Sequence, residues 1–122
     1  MWGAAANLSP QAARALSIYF SNLPPRAAND GNRELVGRGE AIYQRGMPDE
    51  NIAACVACHG PNAEGISTIP RIGGLDYGYL KRRLEQWAEG YRGVLDHPMP
   101  HIAIQLSRSQ IEALASYLSF LK

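Results

Sequence analysis

Cysteine is scarce in this chain, with two among 122 residues, at positions 55 and 58. A zinc site usually takes four ligands, and beyond these thiols and the adjoining His59 only His97 and His101 remain to supply them. Long apolar runs are missing too. No stretch approaches the roughly 18 residues of a membrane span, so none is expected. Charge of one sign is also lacking: the formal net charge of +1 provides no basic patch of the kind nucleic-acid binding requires. Nucleic-acid partners are therefore set aside. With 46% hydrophobic and 19% charged residues, the composition is that of a globular chain and not a disordered one. The opening Met1-Trp2-Gly3-Ala4-Ala5-Ala6 has neither the basic start nor the cleavage pattern of a secretory signal, so an export signal is expected to have been removed or to lie outside this sequence. A chain this short buries a modest share of its surface, and such folds often lean on a disulfide, a metal or a bound group.

Strand patterns are absent as well, and the periodicity predicts an all-α chain. A first core helix over about 33–45 sets Leu35, Val36, Ile42 and Tyr43 on one side, with Gly39 leaving room for another helix to come close. A second, over about 76–90, has Asp76 as N-cap, Gly90 as stop, and Leu80, Leu84, Trp87 and Tyr91 at helical spacing. A third begins after Ser107, where Gln110 completes a capping box and Ile111, Leu114, Leu118 and Leu121 form the apolar stripe. Between them lie a Gly- and Pro-rich stretch at 60–74 and a second loop at 92–105, where Pro98 and Pro100 bracket Met99.

Cys55-Val56-Ala57-Cys58-His59 is a C-x-x-C-H sequence, the pattern of covalent haem attachment. Two thiols three residues apart reach both vinyl groups on one edge of a porphyrin, and the adjacent imidazole is carried under the iron. A structural disulfide, a thioredoxin-like pair and half of a zinc site are the competing readings. The zinc reading lacks ligands, and the thioredoxin reading lacks its βαβ setting. On the haem reading His59 is an iron ligand, and its other ring nitrogen needs a backbone carbonyl, for which Pro70 is the candidate. Met99 is the candidate for the second axial position, because it stands between prolines and off any helical stripe. His97, His101 or an open position are its rivals. Trp87 and Tyr79 are candidate haem-packing aromatics, with ordinary core as the expectation for an aromatic at helical spacing. Arg71 and Arg92 are candidate partners for haem propionates.

The chain also resembles itself. A shift of 98 positions sets residues 1–23 against 99–121, with identities at Met1/Met99, Ala5/Ala103, Leu8/Leu106, Ser9/Ser107, Ala15/Ala113, Leu16/Leu114, Tyr19/Tyr117, Ser21/Ser119 and Leu23/Leu121. The helix cap and the apolar stripe are both among them. Residues 1–23 thus read as an N-terminal helix like the tail of a preceding haem domain, with Met1 where an axial Met would stand; chance similarity of two Ala/Leu helices, and an ancestral helix kept by a single-haem protein, are the alternatives. Residues 24–32 read as an unstructured linker, and 33–122 as a monohaem domain.

These residues together resemble the class I c-type cytochromes, and more narrowly the C-terminal haem domain of the dihaem cytochromes c4. The resemblance is carried by Gly39-Glu40-Ala41-Ile42-Tyr43, the haem motif, Ile69-Pro70-Arg71-Ile72-Gly73-Gly74, Tyr79-Leu80, Gly90-Tyr91-Arg92, Met99, and Leu106-Ser107 leading into Ala113-Leu114-Ala115-Ser116-Tyr117-Leu118. It implies a small helical fold around one haem c, joined through Cys55 and Cys58 and ligated by His59 and Met99. Gly39 is then expected near Tyr117, where the first and last helices cross. It further implies a periplasmic electron carrier, not an enzyme, between a quinol-oxidising complex or dehydrogenase and a terminal oxidase or reductase. A fixed subunit of a larger redox complex, and an open-site peroxidase or gas-binding cytochrome, are the alternatives.

Overall fold

The computed structural model describes residues 2–90 and 98–122. In chain order its helices are α1 (Trp2–Ala5), α2 (Pro10–Ser21), α3 (Val36–Arg45), α4 (Val56–His59), α5 (Tyr77–Ala88), α6 (Pro98–Ala103) and α7 (Arg108–Phe120), with 3-10 turns at Arg33–Leu35 and Pro48–Glu50. Among the described residues there is no strand beyond two isolated bridges, and no helix is long and apolar enough to cross a membrane.

The core forms where α3 crosses α7. Ile42 and Tyr43 on α3 meet Ile111, Leu114, Tyr117 and Leu118 on α7, and Leu80 of α5 closes the third side. The crossing is close because Gly39 is there. A Cβ at that position would run into the Ala113 carbonyl oxygen and stand 2.7 Å from Tyr117 Cβ, so only hydrogen fits. The Tyr43 and Tyr117 rings pack beside it, 5.5 Å apart. The expected first helix divides into the 3-10 turn, whose Asn32 side chain caps Glu34 N, and α3, which stops at Gly46 with φ of +65°.

The capping signals at α5 and α7 are realised. Ser107 and Gln110 form the reciprocal capping box. Gln110 does more than cap, because its side chain is buried between α7 and the Pro48–Glu50 turn. Its Nε2 donates to Glu50 Oε2 at 2.8 Å and to Met47 Sδ at 3.1 Å while Oε1 accepts from Ser107 N. At α5 the Asp76 carboxylate accepts from Tyr79 N at 2.7 Å, and the Asp30 carboxylate accepts from Tyr77 N. The Tyr79 N–H, followed by a hydrogen bond shared with Asp30, holds the Asp76 carboxyl below its ordinary value. A depressed acid stabilises the fold above its unfolded value and loses that contribution as pH falls through the folded one. Unfolding midpoints of the native chain and Asp76→Ala are therefore expected to differ at neutral pH, and the difference to shrink as pH falls from about 4, where unfolded Asp begins to protonate, through the lower folded value.

The stretch 24–32, read from composition as an unstructured spacer, is sewn to the domain over its second half. Ala28 N donates to Gly74 O, Asn29 N to Ser119 O, Gly31 N to Ser119 Oγ and Asn32 N to Ser116 Oγ, all within 3.0–3.2 Å. The two buried serines of α7 thus find their acceptor role in this strap. By contrast α2 buries no residue. Its Leu16, Tyr19 and Phe20 are 42%, 60% and 63% exposed, although Leu16 and Tyr19 match the buried Leu114 and Tyr117 of α7. Leu16→Ala is expected to change the unfolding free energy by less than about 0.5 kcal/mol. Leu114→Ala should cost roughly 2–5 kcal/mol in the same denaturant titration.

Candidate functional site

Both cysteines and the histidine sit on one turn. Cys55 precedes α4, and its carbonyl accepts from Cys58 N at 3.2 Å and from His59 N at 2.9 Å. Both thiols are free; Cys58 is exposed, and burial pushes the half-buried Cys55 thiol up to about 11, so it is neutral at pH 7.

His59 is 7% exposed, and its Nδ1 lies 3.0 Å from Pro70 O. A carbonyl only accepts, so Nδ1 carries the proton and Nε2 keeps its lone pair for a metal. Pro70 therefore stands where the sequence reading put it. The loop between the two residues is fixed by its own backbone. Gly65 N donates to His59 O at 2.8 Å, Ile66 and Ile69 exchange a pair of hydrogen bonds, and Ile72 N and Gly73 N both donate to Ala63 O. Gly60, at φ +83°, turns the chain out of α4. Its carbonyl accepts from the hydroxyl of Tyr43, a fully buried residue of α3. Burial, with Cys55 nearby, holds that phenol far above its usual range, so it remains a donor. Sequence reasoning placed Tyr43 in the core and missed this bond. The available signal was the hydroxyl itself, because a buried tyrosine takes a hydrogen-bond partner.

The remaining candidates are spread over α5, α6 and the loop. Met99 is half-buried and lies in α6, a short helix and not the expected loop. Pro98 opens that helix, in the first turn where a missing N–H costs nothing. His101 is exposed on the same helix, while His97, Arg92 and Tyr91 lie outside the described residues, as does Met1. Trp87 is half-buried on α5. Tyr79 is 44% exposed, with the Arg83 guanidinium 5.9 Å from its ring centroid, so the expectation of an ordinary core residue is corrected: its position on α5 faces outward. Arg71 is half-buried; its Nε donates to Gly73 O at 3.0 Å, and its Nη2 is buried with no hydrogen-bond partner.

The donor set fits a covalently held haem. Two free thiols flank one helical turn, a histidine with a fixed tautomer follows them, and a guanidinium nitrogen lacks an acceptor in the adjoining loop.

Comparison with known proteins points the same way. The family described as Cytochrome c matches residues 36–122. The cytochrome c-552 of Acidithiobacillus ferridurans is 33% identical over 99% of this chain and 52% of its own length. The cytochrome c4 of Pseudomonas aeruginosa is 33% identical over 97% of this chain and 60% of its own. The chain thus spans little more than half the length of these relatives. Among solved structures, reduced cytochrome c4 from Pseudomonas stutzeri superposes with a TM-score of 0.86 at 31% identity, covering 98% of this chain and 65% of that one. The cytochrome c4 of Acidithiobacillus ferrooxidans gives 0.84 at 32% identity, covering 99% and 70%.

Proposed function

The chain belongs to the cytochrome c family, with haem c carried by Cys55 and Cys58, and on that premise we propose that it shuttles single electrons through a haem ligated by His59 and Met99. The observation that supports this most directly is the bond from His59 Nδ1 to Pro70 O, on the same turn as both cysteines. The haem supplies the one-electron couple of its iron. The chain's own residues hold and shield it. Pro70 fixes the His59 ring, and Tyr43 fixes the Gly60 carbonyl behind it. Met99 is positioned on α6 by the two prolines that flank it, and Trp87, Tyr79, Arg71 and Arg92 complete the surroundings. Ligands that barely move between oxidation states keep the reorganisation on electron transfer small.

The donor is a dehydrogenase or quinol-oxidising complex and the acceptor a terminal oxidase or reductase, in the periplasm. Two relatives support the dehydrogenase side. The thiosulfate dehydrogenase electron acceptor of Thiomonas intermedia is 30% identical over 98% of this chain. A solved thiosulfate dehydrogenase from Marichromatium purpuratum contains a segment matching 94% of this chain with a TM-score of 0.75. Residues 1–23 form a helix resembling the tail of a preceding cytochrome c domain, 24–32 the connection, and 33–122 the monohaem domain. The repeat register supports this, because it sets the open face of α2 on the same residues that α7 turns toward α3.

Expression with a haem-attachment system tests the central reading. The native chain should retain haem through acid–organic extraction, and Cys55→Ser/Cys58→Ser should lose it. Haem retained by the double variant, or never attached to the native chain, would refute the assignment.

A further inference from the structure

The loop that the His59–Pro70 bond closes is tied across its middle through one residue. Ala63 N donates to Gly60 O at 3.1 Å, and Ala63 O accepts from Ile72 N and Gly73 N, each at 2.9 Å. Gly60 directly follows His59, and Ile72 and Gly73 come shortly after Pro70, so Ala63 couples the two ends of the loop. It does so under strain. Ala63 is fully buried with φ of +55°, in the left-handed region that a residue with a Cβ occupies only where its surroundings enforce it. The Tyr43 hydroxyl anchors this knot to α3, because it donates to the same Gly60 oxygen. Its ring is fully buried and packs against that of Tyr117 at the α3–α7 crossing, so the donor stands on a rigid support. By contrast α4 is a single turn without a side-chain N-cap, too short to hold its own geometry.

We propose that Tyr43 is a positioning residue for the iron ligand: its hydroxyl sets the separation of His59 Nδ1 from Pro70 O and, through that bond, the reduction potential. The inference rests on the reading of His59 as ligand and goes beyond it. A carbonyl that accepts from Nδ1–H makes the imidazole a stronger donor to the metal, and a stronger donor favours the ferric state. Without the hydroxyl the Gly60 carbonyl loses its tie to α3, the two ends of the loop relax apart, and the bond from Nδ1 weakens. The ferric state then loses support and the potential rises. Gly60 O keeps Ala63 N as a donor, so the turn itself survives the change.

The test is Tyr43→Phe in the haem-loaded protein, which keeps the ring in the core and deletes one oxygen. The His59 Nδ1–H resonance of the ferrous, diamagnetic protein and the reduction potential are measured in the native chain and the variant. We expect the resonance to move upfield, as a weakened hydrogen bond requires, and the potential to rise. A role confined to stability would lower the unfolding midpoint and leave both readouts in place, which overturns the proposal. A potential that rises while the resonance stays put overturns it too, because the hydroxyl would then act as a dipole and not by positioning. So does a potential that is unchanged or falls. Native protein whose His59 Nδ1–H lacks the ring-current shift of a haem-bound imidazole overturns the ligand reading, and the proposal with it; a native signal that is present but unmoved in Tyr43→Phe overturns the proposal alone.

Discussion

In the haem-loaded protein, Met99→Ala is expected to remove the weak far-red band of methionine-bound ferric haem and to lower the reduction potential steeply. Axial-ligand choice spans roughly 0.8 V across haem proteins, and a thioether holds the ferrous state better than an imidazole or water does. The geometry of α6 makes the loss specific. Pro98 and Pro100 restrict the backbone on both sides of Met99, and the helix runs on only to Ala103, so no neighbouring sulfur is carried into the same place. Met47, the methionine nearest in sequence to the haem motif, is engaged with Gln110 of α7, whose Nε2 lies 3.1 Å from its sulfur. His101 is exposed, and if it replaced Met99 the variant would show a bis-histidine spectrum at low potential. An unchanged far-red band in Met99→Ala would exclude Met99 as ligand. Absence of the band from the native protein would instead move a bis-histidine or open-site cytochrome to first place.

What sequence could show here depended on whether a residue's role was local. Ser107, Gln110 and Asp76 were readable as caps because capping is decided within three residues. The haem motif was readable because its chemistry fits in five. Pro70 was readable as the His59 partner through the order of the motif, although the loop bonds that bring it there, such as Gly65 N to His59 O, left no mark in composition. Roles set by distant partners were hidden. Residues 28–32 look like a spacer until Ser116 and Ser119 are seen to receive their N–H groups, some 85 positions away. Gln110 gave no hint that it also reaches Met47 and Glu50. Tyr79 shares the helical spacing of a core residue and is nevertheless exposed, because α5 turns Leu80 inward and not its neighbour. The internal repeat was legible to the residue, yet it predicted the same face inward in both copies. The structure gives α7 a partner in α3 and leaves the equivalent face of α2 open.

The largest loss of stability is expected from Gly39→Val. Even the first carbon of a side chain would overlap the Ala113 carbonyl oxygen and come within 2.7 Å of the Ala113 carbonyl carbon and of Tyr117 Cβ. Two of these three contacts are backbone atoms in the middle of α7, which cannot step aside as a flexible side chain would. The helices must separate instead, and the separation opens the packing of Ile42, Tyr43, Leu114 and Leu118. Overpacking of a close crossing costs about 1–3 kcal/mol when it is absorbed locally, and here it adds to loss of core contacts on both sides. Gly39 has an ordinary helical backbone, so the penalty is one of space and not of φ, and Gly39→Ala should already show much of it. At Gly37, two residues before the crossing, nothing lies within 4 Å of the same added carbon. Gly37→Ala should therefore be neutral or stabilising by up to about 1 kcal/mol, through helix propensity alone. Denaturant midpoints of the two alanine variants give the comparison: equal stability of the pair would mean that the α3–α7 crossing tolerates a side chain, and that the close approach does not hold this fold together.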